Sequence, residues 1–276
     1  MAKENLSISW VDLSTRIGKS RSTLYLYLRE ECHMPLEVFV ILNQDINFKD
    51  YEIIEIKNGV NEIDYPNLSN DLAEFLGVLA GDGHLHGHPS ELAITSHAFL
   101  DRYHIEVHIK DIFIRLFKAN PTILFQRNVI KLRFYSKDLV SFLHEEFKLP
   151  IGKKMNNLHI PSSILDNDDY LLSYLRGLFD TDGSINRHYK TTAMVEITSG
   201  DACFLEEVKQ ALIRLGFRVS SGCKSVRIYK KSEIDRFFSM IRPRNPKHTF
   251  KYETFKKKGY IPLTKDLCAS SIMARA

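Results

Sequence analysis

The chain has 276 residues, a formal net charge of +4, 44% hydrophobic and 26% charged content, the profile of an ordinary globular protein able to bury one or more cores. No apolar run approaches the ~18 residues of a membrane span, and the opening MAKENLSISW has no apolar h-region, which argues against membrane insertion and secretion. Four scattered cysteines (Cys32, Cys203, Cys223, Cys268) form neither a CxxC pair nor a disulfide framework, so the chain reads as a resident of the cytoplasm or an organellar matrix.

Residues 1–65 read as a small all-α module. In WVDLSTRIGKSRSTLYLYLRE, Leu13 and Ile17 are four apart, Gly18 supplies a tight turn, and Leu24 and Leu28 are again four apart. Ser20 is placed to cap the second helix. That helix would present Arg21, Ser22, Tyr25 and Arg29, side chains suited to phosphates and base edges. MPLEVFVILNQ adds a third helix with Pro35 at its first turn. The IGKSRSTLYLYL run resembles the helix-turn-helix of the Cro/repressor-like families, departing from it at Lys19, where an apolar residue is commoner. A plain helical cap is the competing reading. FKDYEIIEIKNGVNEIDYPNLS then alternates polar and apolar residues, as a short hairpin would, and residues 66–69 read as a linker.

From residue 68 the sequence repeats itself. FLGVLAGDGH (75–84) answers to YLRGLFDTDGS (174–184), with Asp82 and Asp182 100 positions apart. ELAITS (91–96) answers to MVEITS (194–199), and an amphipathic helix follows each. VIKLRFYSKDLVSFLHEEF and SVRIYKKSEIDRFFSMI each read as a strand followed by a helix, and KKMNNLHIP matches FKKKGYIP in place. Matches at several points in the same order predict a duplicated αββαββα unit of α+β class, with an antiparallel sheet in each half, residues 68–166 and 167–276.

The two motif segments predict apolar helices, with Leu72, Phe75, Leu76 and Leu79 in one and Leu171, Leu175, Leu178 and Phe179 in the other. Gly77, Ala80, Gly81, Gly177 and Thr181 interrupt them. Glycine inside a helix costs about 0.5–1 kcal/mol relative to alanine, so its presence in both suggests close backbone packing. Gly83 and Gly183 are expected as left-handed caps. Packed side by side, the helices bring Asp82 and Asp182 together, each at a helix end that already carries negative partial charge. Such carboxylates repel unless divalent cations sit between them, and hard oxygen donors of this kind suit Mg²⁺.

FLGVLAGDG and LRGLFDTDG resemble the two motifs of a single-chain LAGLIDADG homing endonuclease. The resemblance implies a saddle of two antiparallel sheets over a long double-stranded DNA site, in a monomer that is an internal pseudo-dimer. It also implies metal binding by the last acid of each motif: Asp82 and Asp182, with the carbonyls of Gly81 and Thr181 as further ligands, and Mg²⁺ (with Mn²⁺ as a substitute) as cofactor. Asp180 faces Ala80 in the other copy and is expected to serve packing or hydrogen bonding only. A basic residue in each half near the metals is also implied, which singles out Lys153 and Lys154 before Ile160-Pro161 and Lys257, within 256–258, before the second Ile-Pro.

The outer strands would then read DNA, through His86, Thr95, Arg127, Lys131, Arg133, Arg187, Lys190, Thr198, Lys224, Arg227 and Lys230. The strip RPRNPKHTFKYETFKKK (242–258), with seven Lys/Arg against Glu253 alone, is either a solvated basic face or a phosphate-contacting one. The histidines of GHLHGHPSELAITSH (His84, His86, His88, His97) fit groove contacts better than zinc. The expected function is site-specific, Mg²⁺-dependent cleavage of both DNA strands. Its rival is a non-cleaving DNA-binding regulator or an RNA maturase on the same scaffold.

Overall fold

A computed structural model describes residues 9–29, 34–43, 63–189 and 192–269. The chain divides into two units, Met1–Lys57 and Asn58–Ala276. In the first, α1 (Trp10–Ile17), α2 (Arg21–Leu28) and α3 (Leu36–Asn43) follow one another. Ser9 caps α1 by accepting from Asp12 N at 3.2 Å, and Ser20 caps α2 by accepting from Thr23 N at 3.2 Å. Gly18 ends α1 with φ 67°, a left-handed turn that favours glycine. Leu13, Ile17, Leu24 and Val38 form this unit's own small core. The expected hairpin lies mostly outside the described residues, and residues 63–69 contain no strand.

The second unit begins with α4 (Asn70–Gly81), then β1 (Gly83–Gly87) and β2 (Ser90–His97). A π-helical turn, His104–Ile109, leads into α5 (Lys110–Phe117), followed by β3 (Thr122–Gln126), β4 (Val129–Tyr135), α6 (Lys137–Phe147) and the short α7 (Ser162–Leu165). The second copy runs α8 (Asp168–Asp182), β5 (Gly183–Tyr189), β6 (Thr192–Thr198), α9 (Ala202–Arg214), β7 (Ser220–Gly222), β8 (Ser225–Ile228) and α10 (Lys231–Ile241). Two further helices, α11 (Pro246–Lys258) and α12 (Thr264–Ala269), extend it. Both sheets are antiparallel and have the same order, β1-β2-β4-β3 and β5-β6-β8-β7. The fold is therefore α+β and duplicated.

Period-two alternation gives each sheet two faces. Leu85, Leu92, Ile94, Ile130, Leu132 and Phe134 are buried on one side of the first sheet; Ile185, Val195, Ile197, Val226 and Ile228 are buried on one side of the second. The other faces carry the polar residues. The apolar residues of α4 and α8 join both sets in one continuous core.

The motif helices touch backbone to backbone. A Cβ at Gly77 would overlap the carbonyl oxygen of Tyr174, and one at Gly177 would overlap that of Glu74. A Cβ at Gly81 would collide with the Thr181 hydroxyl. The caps differ from expectation. Gly183 is extended (φ −87°), and Gly83 also lacks positive φ. Glycine is required there for space, because a Cβ would strike Leu79 in one copy and Phe179 in the other.

An alanine at Gly77 or Gly177 gains helix propensity but must push the helices apart. Each substitution is expected to lower unfolding stability by about 3 kcal/mol, measured by urea denaturation. A gain of about 0.5–1 kcal/mol, the intrinsic preference for alanine, would show that the helices do not touch there.

Candidate active site and nucleic-acid interface

Ser69 opens α4 by accepting from Leu72 N at 3.3 Å, and Asn167 opens α8 by accepting from Asp169 N at 2.8 Å and Tyr170 N at 3.3 Å. Both helices end at an acid, so Asp82 and Asp182 emerge together at one end of the interface. Ser96, on β2, donates its hydroxyl to Asp82 Oδ2. On the other side, Thr198 Oγ1 donates to the Asp182 carbonyl at 3.2 Å. Burial pushes Asp182 up to about 6, and the Asp82 charge adds to this against the opposing pull of Lys154 and Lys247. Asp82 is raised too, by burial, against the Ser96 hydrogen bond and the charges of Lys247 and Lys154.

Of the candidate lysines, Lys154 reaches the pair. Its Nζ donates to the carbonyls of Ala80 at 3.0 Å and Gly81 at 2.6 Å. Burial lowers it to about 8, although Asp182 and Asp82 favour its charged form. Lys153 is exposed, while Lys257 lies in the last turn of α11 with its amine 3.8 Å from Glu253 and 75% exposed. The structure therefore does not bring Lys257 into the site; the helical turn of α11 carries it outward. The second cation is instead Lys247, near the start of the same helix, whose Nζ pairs with Asp101 Oδ1 at 2.8 Å and whose charge acts on both carboxyls of the pair. The basic strip contained Lys247 in plain view, but its place depends on where α11 starts.

A cleft of about 680 Å³ opens beside the pair, lined among others by Ala80, Gly81, Lys154, Asp182, Thr198 and Lys224. The donors are of the kind a hard divalent ion takes: two partly desolvated carboxylates, beside backbone carbonyls that already accept from an ammonium. The Gly81 carbonyl is here satisfied by Lys154, and the Thr181 hydroxyl turns back to the Gly177 and Leu178 carbonyls at 3.1 and 2.9 Å. Among the described residues no group of three or more His, Cys, Asp or Glu is gathered as a metal cluster. His84 and His86 lie edge to face on the outer face of β1, their ring centroids 4.1 Å apart.

Residues 169–242 match the family model of the LAGLIDADG-like domain. The matched residues lie within the second half; the first half repeats the topology outside them. Curated relatives include the glutamine–fructose-6-phosphate aminotransferase of Methanocaldococcus jannaschii, 26% identical over 63% of this chain and 15% of the relative. The replication factor C small subunit of the same organism is 29% identical over 56% and 8%, and a ribonucleoside-diphosphate reductase alpha subunit of Bacillus subtilis is 26% identical over 53% and 14%. The chain spans a small part of each, and their named activities have nothing in common. Among solved structures, mesophilic variants of the homing endonuclease I-DmoI align with a TM-score of 0.47 at 20% identity, covering 62% of this chain and 94% of theirs. The meganuclease I-AabMI bound to uncleaved DNA aligns with a TM-score of 0.47 at 13% identity, covering 74% and 92%.

In the second half, Thr198 and Arg227 lie on the outer sheet face, where Arg227 Nε donates to Glu196 at 2.7 Å. Lys224 sits in the exposed β7–β8 turn, and Lys230 lies beyond the strand as the residue before α10. Arg187 departs from expectation. Its register opposite Ala193 sets it on the same side of the strand as Ile185, at the exposed end of β5, and its Nη2 donates to the Ile261 carbonyl at 3.2 Å. Ser184 and Asn186, joined at 2.7 Å, occupy the outer positions of β5 instead. Lys190 lies outside the described residues. In the first half His86, Thr95, Lys131 and Arg133 share the outer face, and Lys131 pairs with Glu91 at 2.7 Å. Arg127 is exposed in the β3–β4 turn with φ 53°. In the N-terminal unit Arg21, Ser22 and Arg29 are exposed, while the Tyr25 ring lies 4.7 Å from Trp10.

Asp180 is buried, and it accepts the backbone N–H groups of Arg244 at 2.7 Å and Asn245 at 3.1 Å. Its carboxyl is pushed up by burial to about 7 despite those donors. It thereby fixes the entry to α11, the helix that carries Lys247.

The raised Asp182 carboxyl makes stability fall with pH. The unfolded chain releases this proton near pH 3.9, whereas the folded protein holds it to about pH 6, so ionisation removes stability across that interval. In metal-free buffer at about pH 7.5, Asp182→Asn is expected to be more stable than the parent by about 1–2 kcal/mol, with the gap closing below about pH 4. Equal stability at both pH values in thermal melts would refute the buried, repelled carboxylate.

Proposed function

We propose that this protein is a site-specific DNA endonuclease of the LAGLIDADG homing type, hydrolysing phosphodiesters in both strands of a long duplex site with Mg²⁺, or Mn²⁺ in its place. One observation carries the reading: two carboxylates meet at the ends of touching motif helices, flanked by Lys154 and Lys247, between two sheets with polar outer faces. A structural helix ending would not place two desolvated acids against each other. A bound Mg²⁺ would supply Lewis acidity and an activated water at the scissile phosphate. Asp82 and Asp182 would hold it, with main-chain oxygens at Gly81 and Thr181 in reach of the role. The Lys154 and Lys247 ammonium groups, beside the paired acids, would favour the charge that builds up on the phosphoryl oxygens over the ground state.

Duplex DNA is the partner class. The outer faces of β1, β2 and β4 offer His86, Thr95, Lys131 and Arg133, and those of β5, β6 and β8 offer Asn186, Thr198 and Arg227; Arg127 and Lys224 extend from turns. Arginine and asparagine pair with guanine and adenine edges in the major groove, and the lysines neutralise phosphates. The N-terminal unit would add contacts through Arg21, Ser22 and Arg29.

The test is Mg²⁺-dependent cutting of a genomic fragment library, with the ends mapped by sequencing. Cutting at one recurrent site is expected from the parent. It should disappear with a chelator and with Asp82→Asn or Asp182→Asn, and fall about 10²-fold with Lys154→Met. Undiminished cutting by the doubly substituted Asp82→Asn, Asp182→Asn protein would sink the proposal, and tight specific binding with no nicking would favour the non-cleaving regulator.

A further inference from the structure

Asp101 and Asp201 are 100 positions apart, as Asp82 and Asp182 are, and each follows the second strand of its half. Both are buried, at 6% and 4% exposure, although nothing in the reading of the cleft requires a carboxylate at either position. Each reaches out of its own half. Asp101 Oδ1 accepts from Lys247 Nζ at 2.8 Å and from Asn245 Nδ2 at 2.7 Å, while its Oδ2 accepts from His97 N at 3.2 Å. Asp201 caps α9 with Oδ1, accepting from Cys203 N at 3.1 Å and Phe204 N at 3.2 Å. One oxygen suffices for that cap. The other, Oδ2, accepts from Asn156 N at 2.7 Å, in the first half.

Asn156 is in the left-handed region (φ 65°), and Asn157 N closes the same turn by donating to the Lys154 carbonyl at 2.9 Å. Anchoring Asn156 therefore fixes the turn from which Lys154 extends to the Ala80 and Gly81 carbonyls. On the opposite side Asn245, fully buried, donates to both Asp101 and the Asp180 carbonyl, so the same carboxylate that pairs with Lys247 also holds the helix start that carries it. The two arrangements use different local devices, a direct ion pair in one and a backbone anchor in the other. Their logic is the same: the acid comes from one half and the lysine from the other.

We propose that Asp101 and Asp201 are positioning residues, each setting the cleft lysine of the opposite half, so that both lysines are in place only when the halves are docked. The role of the lysines in catalysis rests on the endonuclease reading; their placement does not. The substitutions that test this are Asp101→Asn and Asp201→Asn in the full chain. Asparagine keeps the volume, and at position 201 it keeps an oxygen for the α9 cap while putting a donor against Asn156 N–H. Short pulses of an amine-acylating reagent, read by peptide mass mapping, would report Lys154 and Lys247 against the exposed Lys153 and Lys257.

Asp101→Asn is expected to raise acylation of Lys247 about threefold and leave Lys154 unchanged, and Asp201→Asn to do the reverse, since a charge-assisted or anchoring bond is lost on one side only. A general loosening of the fold would raise both lysines together in either variant, and that result, or no change in either, overturns the proposal. Asp101→Glu, which keeps the charge, should return Lys247 toward parental protection. The same preparations assayed on DNA separate the two claims: crossed labelling in a protein that never cuts leaves positioning standing without the nuclease, whereas cutting with uncrossed labelling does the opposite.

Discussion

Where α4 passes α8, the carbonyl oxygen of Tyr174 fills the space that a side chain at Gly77 would need, and the carbonyl of Glu74 does the same at Gly177. The contact is possible only between residues without a Cβ, and it recurs about an approximate twofold axis. Its consequence is geometric. Helices that touch along their backbones end side by side, so the acids that follow them cannot avoid one another. The two sheets, each packed on its own motif helix, are held in fixed relation by the same contact. The paired acids, the cleft and the two polar sheet faces all follow from it.

That proximity has an electrostatic cost, and the surroundings reduce it. Asp82 and Asp182 sit at negative helix ends, half removed from water; burial raises both, with the Asp82 charge adding to the rise at Asp182 and that of Asp101 to the rise at Asp82. Lys154 and Lys247 bring opposing charge from either side, and Ser96 adds a hydrogen bond to Asp82. Lys154 itself is driven down by burial, so neither the acids nor the amine is comfortable alone.

The two halves share a topology but not their buried polar chemistry. Glu74 lies against His108 and Arg176, which outweigh the effect of burial and hold its carboxyl below the ordinary range, whereas the position 100 residues later is Tyr174, an apolar-packed ring. Arg176 also donates to the Ile241 carbonyl at 2.8 Å, tying α8 to the end of α10. Asp180 anchors α11 through its carboxylate, whereas its counterpart Ala80 offers only a main-chain carbonyl, which Lys154 takes. The second half therefore carries an additional helix to the cleft, while the first half delivers its lysine from a turn. Once duplicated, the halves needed only to keep the helix contact and the terminal acids in common; the supports around them were free to diverge.

The repeat was legible in the sequence because each copy keeps its own local rules: period-two strands, amphipathic helices, and a glycine wherever two backbones meet. Those rules act over a few residues and gave the sheets, the motif helices and the Asp82–Asp182 pair without coordinates. Lys257 was the natural match to Lys154 by position in the repeat, yet α11 turns it outward and brings in Lys247. Arg187 was read with the outer-face residues; it is exposed at the end of β5, but its register opposite Ala193 aligns it with the inner alternation. The left-handed caps at Gly83 and Gly183 were inferred from a common helix ending, whereas steric room beside Leu79 and Phe179 was the real requirement. Asp101 and Asp201 could have been found by the spacing of 100 but carried no motif to draw attention. The sequence by itself determined the duplication and the two terminal acids, because local periodicity and glycine placement encode them. Only the tertiary structure decided which lysines meet those acids and what holds them, because that depends on helix starts and contacts across the two halves, to which no local pattern is sensitive.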